Sequence, residues 1–168
     1  SFSKLKKLKI VFFARNSFTK YPTVLRECTA LTMIGFMSNQ IHTVEENAFP
    51  PMLRWLILTD NKIESLPKSI GDCGQLQKCG LAGNLIQELP FEMSKCQSLE
   101  LLRLSANRLV SIPEWLFELP KLSWVAFGGN PATHISTLPT DLGSFPWSRF
   151  EVKELLGEGA SGLIYKAS

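Results

Sequence analysis

The sequence predicts an α/β solenoid, in which one short strand per coil stacks in parallel with its neighbours to form a sheet on the concave side. Three observations carry this expectation. Six asparagines, Asn16, Asn39, Asn61, Asn84, Asn107 and Asn130, follow one another at intervals of 23, 22, 23, 23 and 23 residues, and self-similarity at such a period marks a repeat architecture. With each Asn as the ninth position of a coil, the first, fourth and sixth positions are apolar in every coil: Leu8/Val11/Phe13, Leu31/Ile34/Phe36, Leu53/Leu56/Leu58, Leu76/Cys79/Leu81, Leu99/Leu102/Leu104 and Leu122/Val125/Phe127. Four coils then carry a bulky residue followed by Pro, at Tyr21-Pro22, Leu66-Pro67, Leu89-Pro90 and Ile112-Pro113.

Each element follows from these spacings. Apolar residues at positions four and six alternate, so one short strand per coil sends two side chains inward. The chain must then turn while its backbone polar groups stay inside the stack, which calls for a side chain that both donates and accepts. Asn does both. The Pro pairs hold the backbone extended where it leaves the strand, and Ile70, Met93 and Leu116 bring the return stretch back to the core. That stretch has no long 3.6-residue pattern, so short helical or 3₁₀ turns are expected on the convex side. The second coil is one residue shorter, lacks the Pro pair and carries Ala48-Phe49-Pro50-Pro51 instead, so a local irregularity is expected there.

The eleventh position is Phe18, Ile41, Ile63, Ile86 and Leu109, failing only at Ala132 after Pro131. The pattern L-x-x-L-x-L-x-x-N-x-L resembles the leucine-rich-repeat family over roughly residues 5 to 135. The expected organisation is a solenoid over 1–135, a cap and linker over 136–149 and a distinct segment over 150–168. Ser1 falls inside repeat sequence, so further coils are expected before it.

Composition narrows the partner. The chain has 168 residues, 45% of them hydrophobic, which is enough for a packed core. Lys and Arg number 18 against 15 Asp and Glu, too small an excess to point to nucleic acid or an acidic membrane surface. The basic run Lys4, Lys6, Lys7 and Lys9 is expected to be a solvated face, and no apolar run approaches the ~20 residues that span a bilayer. Cys28, Cys73 and Cys96 all take position 21 of their coils and Cys79 takes position four. They are expected to be buried free thiols acting as small hydrophobes. His42 and His134 lie far from each other and from the cysteines, so neither a metal site nor a catalytic constellation is expected in the repeats.

Outward strand positions should be polar on a solvated sheet. Here Ile10, Phe12, Met33, Met37, Trp55, Ile57, Leu101 and Trp124 point that way by alternation, with Lys78 and Arg103 among them. An outward apolar surface with Trp and Arg anchors suits protein binding, and the expected contact set is Met33, Met37, Trp55, Ile57, Arg103 and Trp124. Its partner is expected to be a protein ligand or another domain of the same protein.

From Phe150 the character changes. Gly157, Gly159 and Gly162 are spaced G-x-G-x-x-G, a spacing that two nucleotide-binding folds share. A dinucleotide-binding strand is a nearly continuous apolar run, whereas Glu151, Lys153 and Glu154 interrupt this one. Ile164 takes the place of Val in G-x-G-x-x-G-x-V, so the segment resembles the first hairpin of a protein kinase. That resemblance implies ATP contact by Leu156, Gly157, Glu158, Gly159, Ala160, Ser161, Gly162, Leu163 and Ile164, with Leu156 and Ile164 covering the adenine and ATP and Mg as cofactors of the complete protein. It implies a repeat-bearing Ser/Thr kinase of which these residues hold only the start of the catalytic domain, since the phosphate-pairing lysine, the catalytic loop and the metal-binding Asp lie beyond Ser168. The fragment alone is expected to bind no cofactor. The connection of about twenty residues leaves no room for a membrane span, so both modules are expected in the cytosol. The alternative is a non-enzymatic leucine-rich-repeat interaction scaffold.

Overall fold

In the computed structural model, residues 4–133, 151–159 and 162–167 are described, with backbone alone at 152, 155–159 and 162–167. The chain divides into two units, Ser1–His134 and Ile135–Ser168. In the first unit, one three-residue strand per coil forms a six-stranded sheet in sequence order: β1 (Ile10–Phe12), β2 (Met33–Gly35), β3 (Trp55–Ile57), β4 (Lys78–Gly80), β5 (Leu101–Arg103) and β6 (Trp124–Ala126). Every neighbouring pair is parallel and aligned on the repeat frame, so that Val11, Ile34, Leu56, Cys79, Leu102 and Val125 form a single row. Four of these, Ile34, Leu56, Cys79 and Leu102, are fully buried. The expected parallel sheet is therefore present with its expected register.

The asparagines act across coils. Asn84 Nδ2 donates to the carbonyls of Leu58 (2.9 Å) and Leu81 (2.8 Å), and its Oδ1 accepts from the amide of Ile63 at 3.0 Å. Asn39, Asn61, Asn107 and Asn130 repeat this pattern one coil at a time. Each thus satisfies the sixth-position carbonyls of two coils and the eleventh-position amide of the earlier one. Asn16, in the first described coil, is exposed and donates to Ala14 O at 3.0 Å. The residue before each Asn is left-handed: Arg15, Ser38, Asp60, Gly83, Ala106 and Gly129 have φ between 53° and 75°. Only two of the six are glycine, the residue that adopts this conformation without strain.

The return stretches are 3₁₀ turns at Thr23–Glu27, Lys68–Asp72, Phe91–Lys95, Glu114–Glu118 and Pro131–Thr133. The first four each start after a proline of the expected pairs, Pro22, Pro67, Pro90 or Pro113, in extended conformation. Leu25, Ile70, Met93 and Leu116 are the buried residues that anchor them. The second coil has no such turn between β2 and β3. In its place Glu46 reaches to the next coil, where its carboxylate accepts from the amides of Lys68 (2.8 Å) and Ser69 (3.0 Å), while the Asn47 amide donates to Ser69 Oγ at 2.7 Å. Pro67 has no side chain to cap the turn it precedes. Glu46 supplies the acceptor from a neighbouring coil.

The core under the first coils is aromatic. Phe13, Phe18, Tyr21, Phe36 and Phe49 pack with ring centroids 5.1 to 5.6 Å apart. Tyr21 Oη is the one buried side-chain polar atom without a hydrogen-bond partner among the described residues, and burial pushes its phenol far above the ordinary range. All four cysteines are buried. Burial raises Cys73 to about 12 and Cys96 to about 11 and pushes Cys79 higher still, which leaves these thiols unreactive as nucleophiles at neutral pH. Lys4, Lys6 and Lys7 are exposed, with Lys6 Nζ donating to Glu27 O at 3.0 Å. Among the described residues no helix is long and apolar enough to cross a membrane.

In the second unit, β7 (Val152–Gly159) and β8 (Gly162–Ala167) form an antiparallel hairpin. The cap and linker expected over 136–149 lie outside the described residues.

Candidate functional site

The outward face of the six-stranded sheet presents two rows of side chains, because successive strand residues point to opposite faces. The first row, in register, is Ile10, Met33, Trp55, Lys78, Leu101 and Trp124. Charge enters it only at Lys78. The second row is Phe12, Gly35, Ile57, Gly80, Arg103 and Ala126, so a large residue alternates with a small one from coil to coil. Ile10 and Phe12 are each 51% exposed and Trp124 is 45% exposed, large values for apolar side chains on a sheet. Met33, Trp55, Ile57 and Leu101 are half-buried, and Met37, just beyond β2, is exposed. Of the expected contact set, Met33, Trp55, Ile57, Arg103 and Trp124 stand on the outward face of the sheet, Met37 follows β2, and none lies in the core.

The two cations of this face are held by its two tryptophans. Lys78 Nζ sits over the Trp55 ring, 4.1 Å from its centroid, and Arg103 Cζ lies 4.9 Å from the centroid of Trp124. Attraction to the negative face of an indole fixes where each charge stands. The sequence indicates which residues share the face, but not that Lys78 leans back one strand toward β3 while Arg103 leans forward toward β6. The cations stand one strand apart in the chain's order, and their indole partners stand three strands apart.

The small residues of the second row shape the surface. At Gly35 a Cβ would collide with Cδ1 of Phe12, so the glycine lets that ring lie across its neighbour. At Gly80 no ring fills the space, and a Cβ would meet Thr59 Oγ1 at 3.2 Å. Around Gly80, the side chains of Trp55, Ile57, Thr59, Lys78, Leu101 and Arg103 enclose a hollow of about 240 Å³. Thr59 and Gly80 were not legible as site residues, because the signal for them is an absence of bulk between larger neighbours.

No metal-ligating cluster of His, Cys, Asp or Glu occurs among the described residues. In the hairpin, Gly159 pairs with Gly162, Glu158 with Leu163, Gly157 with Ile164 and Leu155 with Tyr165, with register shifts between Val152 and Glu154 and between Leu155 and Gly157. The three glycines therefore cluster at the closed end, and Leu156 falls at the second shift. Ala160 and Ser161, which complete the expected nucleotide set, lie outside the described residues.

No protein-family model and no curated protein matches the chain by sequence. Solved structures do match it in fold. A leucine-rich-repeat protein of Leptospira interrogans aligns with a TM-score of 0.72 at 24% identity, covering 76% of this chain and 33% of its own length. An internalin of Listeria monocytogenes aligns at 0.64 and 22%, covering 75% and 36%. The leucine-rich-repeat ectodomain of a receptor kinase from Arabidopsis thaliana aligns at 0.63 and 21%, covering 71% and 69%. The chain thus spans about a third of the first two proteins. Together with the asparagine ladder and the aligned parallel sheet, these likenesses establish a leucine-rich-repeat fold for the first unit.

Proposed function

We propose that the solenoid is a protein-binding module and that the outward face of its sheet is the binding surface. The observation that carries this reading is the row Ile10, Met33, Trp55, Lys78, Leu101 and Trp124, apolar at five of six places where solvent would favour polar residues. Exposed apolar surface anchored by Trp and Arg is the composition of binding hot spots. Trp55→Ala and Trp124→Ala test it. Each is expected to weaken partner binding at least tenfold in a pull-down or titration, with little change in thermal midpoint for the more exposed Trp124. Partner binding unaffected by both substitutions overturns the reading.

A second reading concerns the parent protein, and the hairpin favours it. The segment from Leu156 to Ile164 has the kinase-like spacing, and its three glycines gather at the closed end of an antiparallel pair. Glycine lets backbone amides approach phosphate groups without a Cβ between them. On this reading the solenoid is the recognition arm of a cytosolic Ser/Thr protein kinase, and Leu156 through Ile164 cover the nucleotide. ATP supplies the phosphoryl group and Mg²⁺ neutralises its charge. The reading frame after Ser168 decides between this and a plain scaffold. A strand carrying Val-Ala-x-Lys followed by a catalytic domain supports the kinase, and unrelated sequence removes it. Calorimetric titration with MgATP is expected to show negligible binding by residues 1–168, binding by the chain extended through a catalytic domain, and loss of that binding with Gly159→Leu.

A further inference from the structure

We propose that the outward sheet face recognises an extended acidic segment, in which two carboxylates flank an aliphatic side chain that enters the hollow over Gly80. This rests on the reading of that face as a protein-binding surface and names the chemistry of its partner. Lys78 and Arg103 border the hollow, and neither forms an ion pair among the described residues. Counting the residue before each strand as well, the face carries Lys9, Arg54, Lys78 and Arg103 against a single carboxylate, Glu100. The whole chain is nearly balanced at +3, so the excess gathers where the apolar residues are. Such a field favours an acidic partner and rejects a basic one.

The spacing follows from the tryptophans. Lys78 lies against Trp55 of β3 and Arg103 against Trp124 of β6, so their charges stand between one and three strand spacings apart, ~5 to 14 Å. An extended chain advances ~3.3 Å per residue, so carboxylates up to about four residues apart match them and leave room for one side chain between. Cations already held over indoles lose little freedom on meeting them. The hollow between them, at about 240 Å³, is smaller than the ~300 to 1,000 Å³ of small-molecule sites and suits one side chain. Single-stranded nucleic acid also favours cations with aromatics, but it binds by stacking bases on open ring faces. Lys78 and Arg103 cover a face of each of these rings.

The test uses the 168-residue chain and a fluorescein-labelled heptapeptide, Gly-Glu-Ser-Leu-Ser-Glu-Gly, followed by anisotropy. The acidic peptide is expected to bind at least tenfold more tightly than the version with Lys at both Glu positions, and to weaken as salt rises. The double substitution Lys78→Met with Arg103→Met is expected to lower affinity at least tenfold at unchanged thermal midpoint. Gly80→Leu, which fills the hollow and leaves the charges, is expected to remove the preference for Leu over Ser at the central position. Absence of binding by the acidic peptide, equal binding of the Lys peptide, indifference to the double substitution, or tighter binding of a ten-residue oligothymidylate overturns the proposal. Panning a random heptapeptide library separates this failure from that of the underlying reading. Neutral or basic winners lost on Trp124→Ala overturn the acidic ligand and keep the binding face, whereas winners indifferent to both Trp55→Ala and Trp124→Ala overturn both.

Discussion

Asn84 Nδ2 lies 2.9 Å from the carbonyl oxygen of Leu58, a residue 26 positions earlier in the chain. The bond joins the corner of one coil to the strand end of the coil before it, where no water reaches either group. Replacing Asn84 by Ala removes two donations and one acceptance; the Leu58 and Leu81 carbonyls keep a second donor in Asn61 and Asn107, while the buried amide of Ile63 is left unpaired. The expected loss is about 1 to 3 kcal/mol, read as a lower denaturation midpoint. Asn16→Ala, at an exposed corner with a local bond only, is expected to change stability by no more than about 0.5 kcal/mol. Equal effects of the two substitutions would contradict the cross-coil role.

Gly71 closes the approach of two 3₁₀ turns. A Cβ there would collide with the carbonyl oxygen of Glu92 in the following turn, and backbone cannot rotate away as a side chain can. Gly71→Ala is therefore expected to destabilise by about 1 to 3 kcal/mol through overpacking, whereas Gly74→Ala, which meets nothing within 4 Å, is expected to be nearly neutral. Urea denaturation of the two variants checks the contrast.

Glu46 gives the fold an acid-sensitive joint. The amides of Ser69 and Lys68 hold its carboxyl below the ordinary value of 4.5. A depressed carboxyl pKa means that the folded state binds the proton less readily than the unfolded chain, so the stabilisation is complete above about pH 4.5 and is lost as pH falls through the folded value. Glu46→Gln is expected to flatten stability over that acid window. At neutral pH it should cost no more than about 1 kcal/mol, the lower part of the range for helix caps, because solvent screens this exposed carboxylate. An unchanged pH profile in the variant would remove Glu46 from the account.

Much of this architecture is legible in the residues alone. The asparagine interval sets the coil length, the apolar triad sets the strand and its inward side, and Pro22, Pro67, Pro90 and Pro113 announce the 3₁₀ turns that follow them. These features depend on the local backbone and on a period repeated in every coil. The buried cysteines were readable for the same reason, since the frame assigns Cys28, Cys73, Cys79 and Cys96 to inward positions.

What depends on the neighbouring coil was not readable. Ser38 and Ala106 are left-handed although nothing in their chemistry asks for it; the corner imposes that conformation because the Asn bonds beside it outweigh the local strain. Glu46 caps a turn that begins 22 residues later, a partnership for which the sequence carries no spacing rule. Alternation alone placed Trp55, Lys78, Arg103 and Trp124 on one face. Only packed coils decided that each cation would lie over an indole and that Gly80 would stand as the floor of a hollow, because side-chain direction is settled by the bulk of residues on adjacent strands, some 23 positions away.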